Sequence, residues 1–187
     1  VPETVAAAVL PTVSEAPEDV PLPEVEGALV LEEAALAVSE PTEVDDQVKV
    51  IGTLRINIPL YNVYLNEADE WSRRLSTELS EWAMELHRPV PDSAIGLAHS
   101  LSGSSATVGF SALSEIARAL EQALQHLQLH SQGSPEHARV AVASADEIRR
   151  LLHQFAAGFL KEPDRGLLDA LKTILETEFV AAAADSA

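Results

Sequence analysis

The sequence predicts an all-α fold, an antiparallel bundle of four amphipathic helices with an additional helix at its C-terminal end. Three observations predict it. Apolar residues step by three and four from about residue 58 onward, the spacing of one helix face. Proline and glycine clusters, in HRPVPDS, VGF and SQGSP, interrupt that period. Helices joined by short connections pack side by side in alternating directions. No strand is convincing, and VKVIGTLRINI is the only candidate.

The N-terminal part has a different character. Residues 1–50 hold 12 of the 30 acidic residues and one basic residue, Lys49. Six of the 11 prolines lie there, and no aromatic residue does. Such a composition buries too little apolar surface to offset chain entropy. Residues 1–54 are therefore expected to be an acidic, Pro/Ala-rich linker, mostly disordered. Residues 55–187 are expected to hold the bundle, with its core over about 58–160 and the extra helix over about 164–180.

The first helix is expected from about Pro59 to Leu86, with proline suited to a first turn. Leu60, Tyr64, Ala68, Trp71, Leu75, Leu79, Trp82 and Leu86 form its apolar stripe. The second starts near Pro91, and Gly109 turns the chain at its end. The third begins near Ser111, with Leu113, Ile116, Ala117, Leu120, Leu124 and Leu127 inward. Ser134 is placed to N-cap the fourth, with Pro135 at its first position. Its inward face runs from Ala138 through Ala141, Val142, Ala145, Ile148, Leu151, Leu152 and Phe155 to Phe159. After Pro163 a last helix carries Leu167, Leu168, Leu171, Ile174 and Leu175.

Charge and composition exclude several functions. A net charge of −18 disfavours nucleic acid, whose phosphates need a basic surface, and disfavours anionic membranes. No apolar run is long enough to insert in a membrane. The chain has no cysteine, so thiolate chemistry and disulfides are absent. A reducing, cytoplasmic compartment fits. The chain lacks a starting methionine, and we expect a segment of a longer protein.

The second helix carries the most informative stretch, AHSLSGSSATVGF, Ala98–Phe110. At about 100° per residue, Ala94, Leu97, Ala98, Leu101 and Ser105 form one inward stripe. His99 falls roughly 160° from its centre and faces solvent. Its neighbours three and four positions away are Ile95, Gly96, Ser102 and Gly103. A glycine costs about 1 kcal/mol relative to alanine inside a helix. Core packing does not explain two of them on an outward face. Clearing room around the imidazole for a partner's backbone or a phosphoryl group does. A neutral imidazole is also a nucleophile able to form covalent intermediates.

AHSLSGSSATVGF resembles the signature of histidine-containing phosphotransfer (HPt) domains, roughly A-H-x-L-K-G-x-x-x-x-x-G, through His99, Leu101, Gly103, Gly109 and Phe110. YLNEADEWSRRLSTEL, Tyr64–Leu79, is similar to the opening helix of those domains. The likeness covers about residues 55–160. It is closest to the domains of chemotaxis-type histidine kinases, particularly the multidomain kinases of type IV pilus (twitching) systems.

The resemblance implies a four-helix bundle, often with a flanking helix. It implies that the histidine accepts a phosphoryl group on Nε2 and exchanges it with an aspartate of a response-regulator receiver domain. ATP then belongs to a separate histidine kinase catalytic domain and Mg²⁺ to the receiver, with no cofactor in this segment. The chain has no P-loop motif. In the chemotaxis-type domains a glutamate twenty-two positions after the histidine orients the ring through Nδ1, and that position is Glu121 here. Nineteen positions after it, where another histidine is common, stands Arg118.

Ser102 departs from the pattern, because the family usually has lysine there to hold the phosphoryl charge. Serine supplies a hydrogen bond but no charge. Arg118 is expected to supply part of the missing charge. Ile95, Gly96 and Gly103 are expected to form the partner-docking surface around His99. The competing reading is a degenerate, non-catalytic helical interaction module. His126 and His130 have the four-residue spacing of a metal pair, but no third ligand accompanies them, and no metal site is expected.

Overall fold

A computed structural model describes residues 47–130 and 133–177. Five helices dominate the described residues: α1 (Ile58–Met84), α2 (Asp92–Thr107), α3 (Ser111–His130), α4 (Pro135–Ala156) and α5 (Arg165–Glu176). A hairpin of β1 (Val48–Ile51) and β2 (Leu54–Asn57) precedes them. Helix α1 packs on α2 and α4, and α3 packs on the same two, which closes a four-helix bundle. Helix α5 lies against α3 and α4 as the additional C-terminal helix. No helix among the described residues is long and apolar enough to cross a membrane.

VKVIGTLRINI, the single strand candidate, forms the hairpin. Val48 pairs with Asn57 and Ile51 with Leu54, across a turn at Gly52, whose φ is 57°. Ile51 and Ile56 point into the core, so the pair gains burial that an isolated hairpin lacks. The expected change from linker to bundle at residue 54 falls inside this hairpin. The rest of the expected acidic linker, residues 1–46, lies outside the described residues.

Each helix follows its apolar period, with local exceptions. Tyr61, Tyr64, Ala68, Ser72, Leu75, Leu79 and Trp82 make the buried face of α1. Leu60, expected on that face, is exposed, because Tyr61 takes the inward position in the first turn. Trp71 and Leu86 are half-buried, and Leu86 lies beyond the helix end. The expected inward stripe of α2 is buried throughout. In α3 all six expected core residues are buried.

Ser134 caps α4 as its side chain accepts the His137 N–H, and His137 reaches back to the Ser134 N–H. Phe159, expected on α4's inner face, is 57% exposed. The helix stops at Ala156, where Gly158 at φ 91° turns the chain away before Phe159. Along α5, Leu168, Leu171 and Ile174 are buried, while Leu167 and Leu175 are half-buried. The described helix ends at Glu176, short of the expected residue 180.

The aromatic centre of the core gathers around Phe155 of α4. Phe110 stacks on it with ring centroids 4.4 Å apart, and Tyr64 meets it edge-on at 5.7 Å. Such arrangements suit the quadrupoles of aromatic rings. A buried carboxylate, Glu147, accepts from Arg150 and from the Asp164 N–H at 2.9 Å. Asp164 in turn caps α5 through the Leu167 N–H. Glu147 thus fixes where α5 begins, and nothing in its sequence neighbourhood announced it.

Candidate functional site

Helix α2 presents His99 because its two sides differ in size and polarity. Ala94, Leu97, Ala98, Leu101 and Ser105 are buried against α1 and α3. The His99 side chain, by contrast, is 74% exposed. An added Cβ at Gly96 or Gly103 would meet nothing within 4 Å. The surface around the imidazole is therefore open, with Ile95 half-buried at its border.

The C-terminal end of α2 is fixed twice. Gly109, at φ 81°, and Phe110 donate their N–H groups to the carbonyls of Ala106 and Ser105. This crossed pair is the Schellman arrangement, with its apolar residue, Phe110, buried. Buried between the helices, Tyr64 Oη and Ser105 Oγ lie 2.9 Å apart in a hydrogen bond. Burial pushes the Tyr64 phenol up to about 12, with the Ser105 bond opposing that rise.

Glu121, on α3, brings its carboxylate to the imidazole. Its Oε1 lies 3.0 Å from His99 Nδ1, and its side chain is only 16% exposed. An ionised carboxylate only accepts hydrogen bonds, so Nδ1 carries the proton and donates. In the neutral ring the lone pair then resides on Nε2. Gln125, one turn along α3, donates its amide to the same Oε1 at 3.3 Å. Gln125 was not singled out from sequence, although its spacing from Glu121 is the ordinary one for helical side-chain pairs.

Ser102 does not reach this surface. It is 5% exposed, and its hydroxyl donates to the Ser114 carbonyl of α3 at 3.2 Å. At the position where the family usually has lysine, Ser102 is covered because α3 offers a serine opposite it. Two small residues let the helices approach closely enough to cover the position. Arg118 is exposed and lines a groove with Ala106, Ser114, Ala119 and Leu168. It forms no ion pair among the described residues and no hydrogen bond to His99 or Glu121.

His126 and His130 hold their rings 4.6 Å apart. His126 Nε2 donates to the Thr177 carbonyl at 3.2 Å, which ties α3 to the end of α5. Among the described residues no three His, Asp or Glu side chains gather as metal ligands.

A helical bundle in which an exposed imidazole is held by a carboxylate of the next helix defines a class of surface that offers one ring nitrogen to a partner. Residues 59–158 match the model of the Hpt domain family, a span of just over half the chain. The chain belongs to that family. It is a histidine-containing phosphotransfer module of the two-component, phosphorelay type. No curated protein matches it.

Proposed function

We propose that His99 is the phosphoacceptor of this module, with Glu121 orienting it. The observation that carries the reading is the 3.0 Å bond from Nδ1 to Glu121, which leaves the Nε2 lone pair facing solvent. In the forward step Nε2 bonds to phosphorus as the bond from phosphorus to the donor's leaving oxygen breaks. The ring becomes positively charged, and the Glu121 carboxylate stabilises that charge at Nδ1. In the return step a carboxylate oxygen of a receiver aspartate bonds to phosphorus. The N–P bond breaks and its electron pair returns to Nε2. Gly96 and Gly103 leave room for the approach of a phosphoryl group from either partner.

The module acts between a histidine kinase catalytic domain and a response-regulator receiver, as a segment of a multidomain kinase in the cytoplasm. ATP and Mg²⁺ belong to those partner domains. The likeness of YLNEADEWSRRLSTEL and the spacing of Glu121 from His99 support a chemotaxis-type kinase, of the type IV pilus class. Arg118 supplies charge toward the phosphoryl group from α3, in the absence of a lysine at position 102.

The test is incubation with a cognate kinase domain and ATP. Wild type should gain acid-labile phosphate and His99→Gln should gain none. Glu121→Ala should slow labelling about 10- to 100-fold while the fold persists, by analogy with the loss of the carboxylate that orients a metal-bound histidine. Arg118→Ala should slow it less. The burial of Ser102, with no cation in its place, favours a second reading, a module that binds partners without transfer. Absence of label in wild type, beside a labelled control domain, would establish that reading instead.

A further inference from the structure

We infer that the groove between α3 and α5 is a docking seat for an amphipathic helix of the receiver partner, one carrying Asp or Glu beside its apolar stripe. The inference rests on the phosphotransfer reading and adds where partner choice is made. The groove encloses about 470 Å³. Its walls are largely apolar, from Ala106 of α2, Ala119 of α3, and Leu168 and Leu175 of α5. A trough flanked by two helices suits a third helix laid into it by its apolar face.

Charge selects the occupant. Arg118 and Lys172 both line the groove, and neither forms an ion pair among the described residues. One carboxylate, Glu115, lines it as well, so cations outnumber anions there. The chain as a whole carries a net charge of −18. Two cations without a salt-bridge partner among the described residues, beside an apolar trough, are therefore against the trend of the molecule, and they complement an acidic helix. Long-range attraction of this kind steers the partner and rejects cationic competitors.

The groove is also continuous with the surface around His99. Ala106 lies seven residues after His99, on nearly the same face of α2, at about 10 Å along the axis. Gly103 lies between them without a side chain to obstruct a covering partner. A domain seated over His99 thus extends naturally into the groove. Nε2 offers the same chemistry to every phosphoryl donor or acceptor. Discrimination among receivers therefore has to come from side chains away from it, and those of the groove are placed to give it.

The test uses the full chain labelled with ¹⁵N and the purified receiver domains of the source organism, added singly. A receiver that binds should shift the amide signals of Ala119, Leu168 and Lys172 together with those of Gly96 and Gly103. Lys172→Glu should raise its Kd roughly tenfold, as expected for reversing one close charge pair. Direct labelling of His99 by phosphoramidate should be unchanged in that variant. Signal changes confined to the Gly96–Gly103 region, or an unaltered Kd, would overturn the inference and leave the phosphotransfer reading intact. A dimer of this chain that Lys172→Glu dissociates would overturn it in favour of a second copy. Failure of His99 to label and of every receiver to bind would overturn both readings together.

Discussion

Helices α2 and α4 stop in the same way and yet lead to opposite results. Each ends in a glycine at positive φ, 81° at Gly109 and 91° at Gly158. A phenylalanine follows each, and its N–H reaches back five residues, to Ser105 or to Gln154. Phe110 is then fully buried, whereas Phe159 is 57% exposed. The stop itself is local chemistry, because only glycine takes that conformation cheaply. What the next residue does depends on what lies beyond. Phe110 leads directly into α3 and stacks on Phe155. Phe159 opens a longer connection toward Asp164, which Glu147 holds at its far end.

The comparison makes predictions of decreasing size. Phe110→Ala should cost about 3–5 kcal/mol in denaturant unfolding, while Phe159→Ala should stay within about 0.5 kcal/mol. Near-equal losses would show that the two ends are anchored alike.

Tyr64 sharpens the contrast from another side, because it bonds Ser105, the very residue whose carbonyl caps α2. Its pKa is raised from 10.0 to about 12, so folding favours the neutral phenol. That contribution is complete below the unfolded value of 10.0 and is lost as pH rises toward 12. Wild type should lose roughly 2–3 kcal/mol over that interval through this group. Tyr64→Phe should be less stable at neutral pH and show a correspondingly flatter alkaline slope in urea titrations.

The glycines themselves come next. Gly158→Ala should cost about 1–2 kcal/mol from backbone strain alone, since nothing lies within 4 Å of the new Cβ. Gly109→Ala adds a contact of 3.1 Å with Leu54 Cδ2 and should cost more. Thermal unfolding of the two variants checks the order. The smallest effect belongs to Ser102→Ala, about 1 kcal/mol for one buried hydrogen bond, with labelling of His99 unchanged. A strong loss of labelling would give Ser102 a direct part in the chemistry.

Much of the architecture was legible because it obeys a simple period. The buried stripes of α2 and α3, the Ser134 cap and the outward direction of His99 follow from spacing alone. The encounter of His99 with Glu121 required knowing which helices are neighbours, and the family likeness supplied that. Other features depend on what stands opposite. Ser102 lies at the margin of α2's inward stripe, and only the small Ser114 across from it decides that it is covered. Leu60 lost its place to Tyr61 within a single turn, a shift that a three-four pattern does not resolve. The hairpin was missed as a structured pair because its strands are only four residues each. Glu147 and Gln125 act through partners seventeen and four residues away, and their own surroundings look like ordinary helix surface.

The small residues inside α2 set a mechanical tolerance. Ala98, Ser102 and Ser105 act as thin shims, and their thickness fixes how far α2 stands from its neighbours. Glutamate has a fixed reach, and the 3.0 Å bond to His99 uses it. A bulkier shim, such as valine at Ala98, would push the helices apart by a fraction of an ångström to an ångström. The imidazole would then slip from its holder while every residue of the site remained in place. The spacing of two helices is in this sense a machined dimension of the histidine's chemistry.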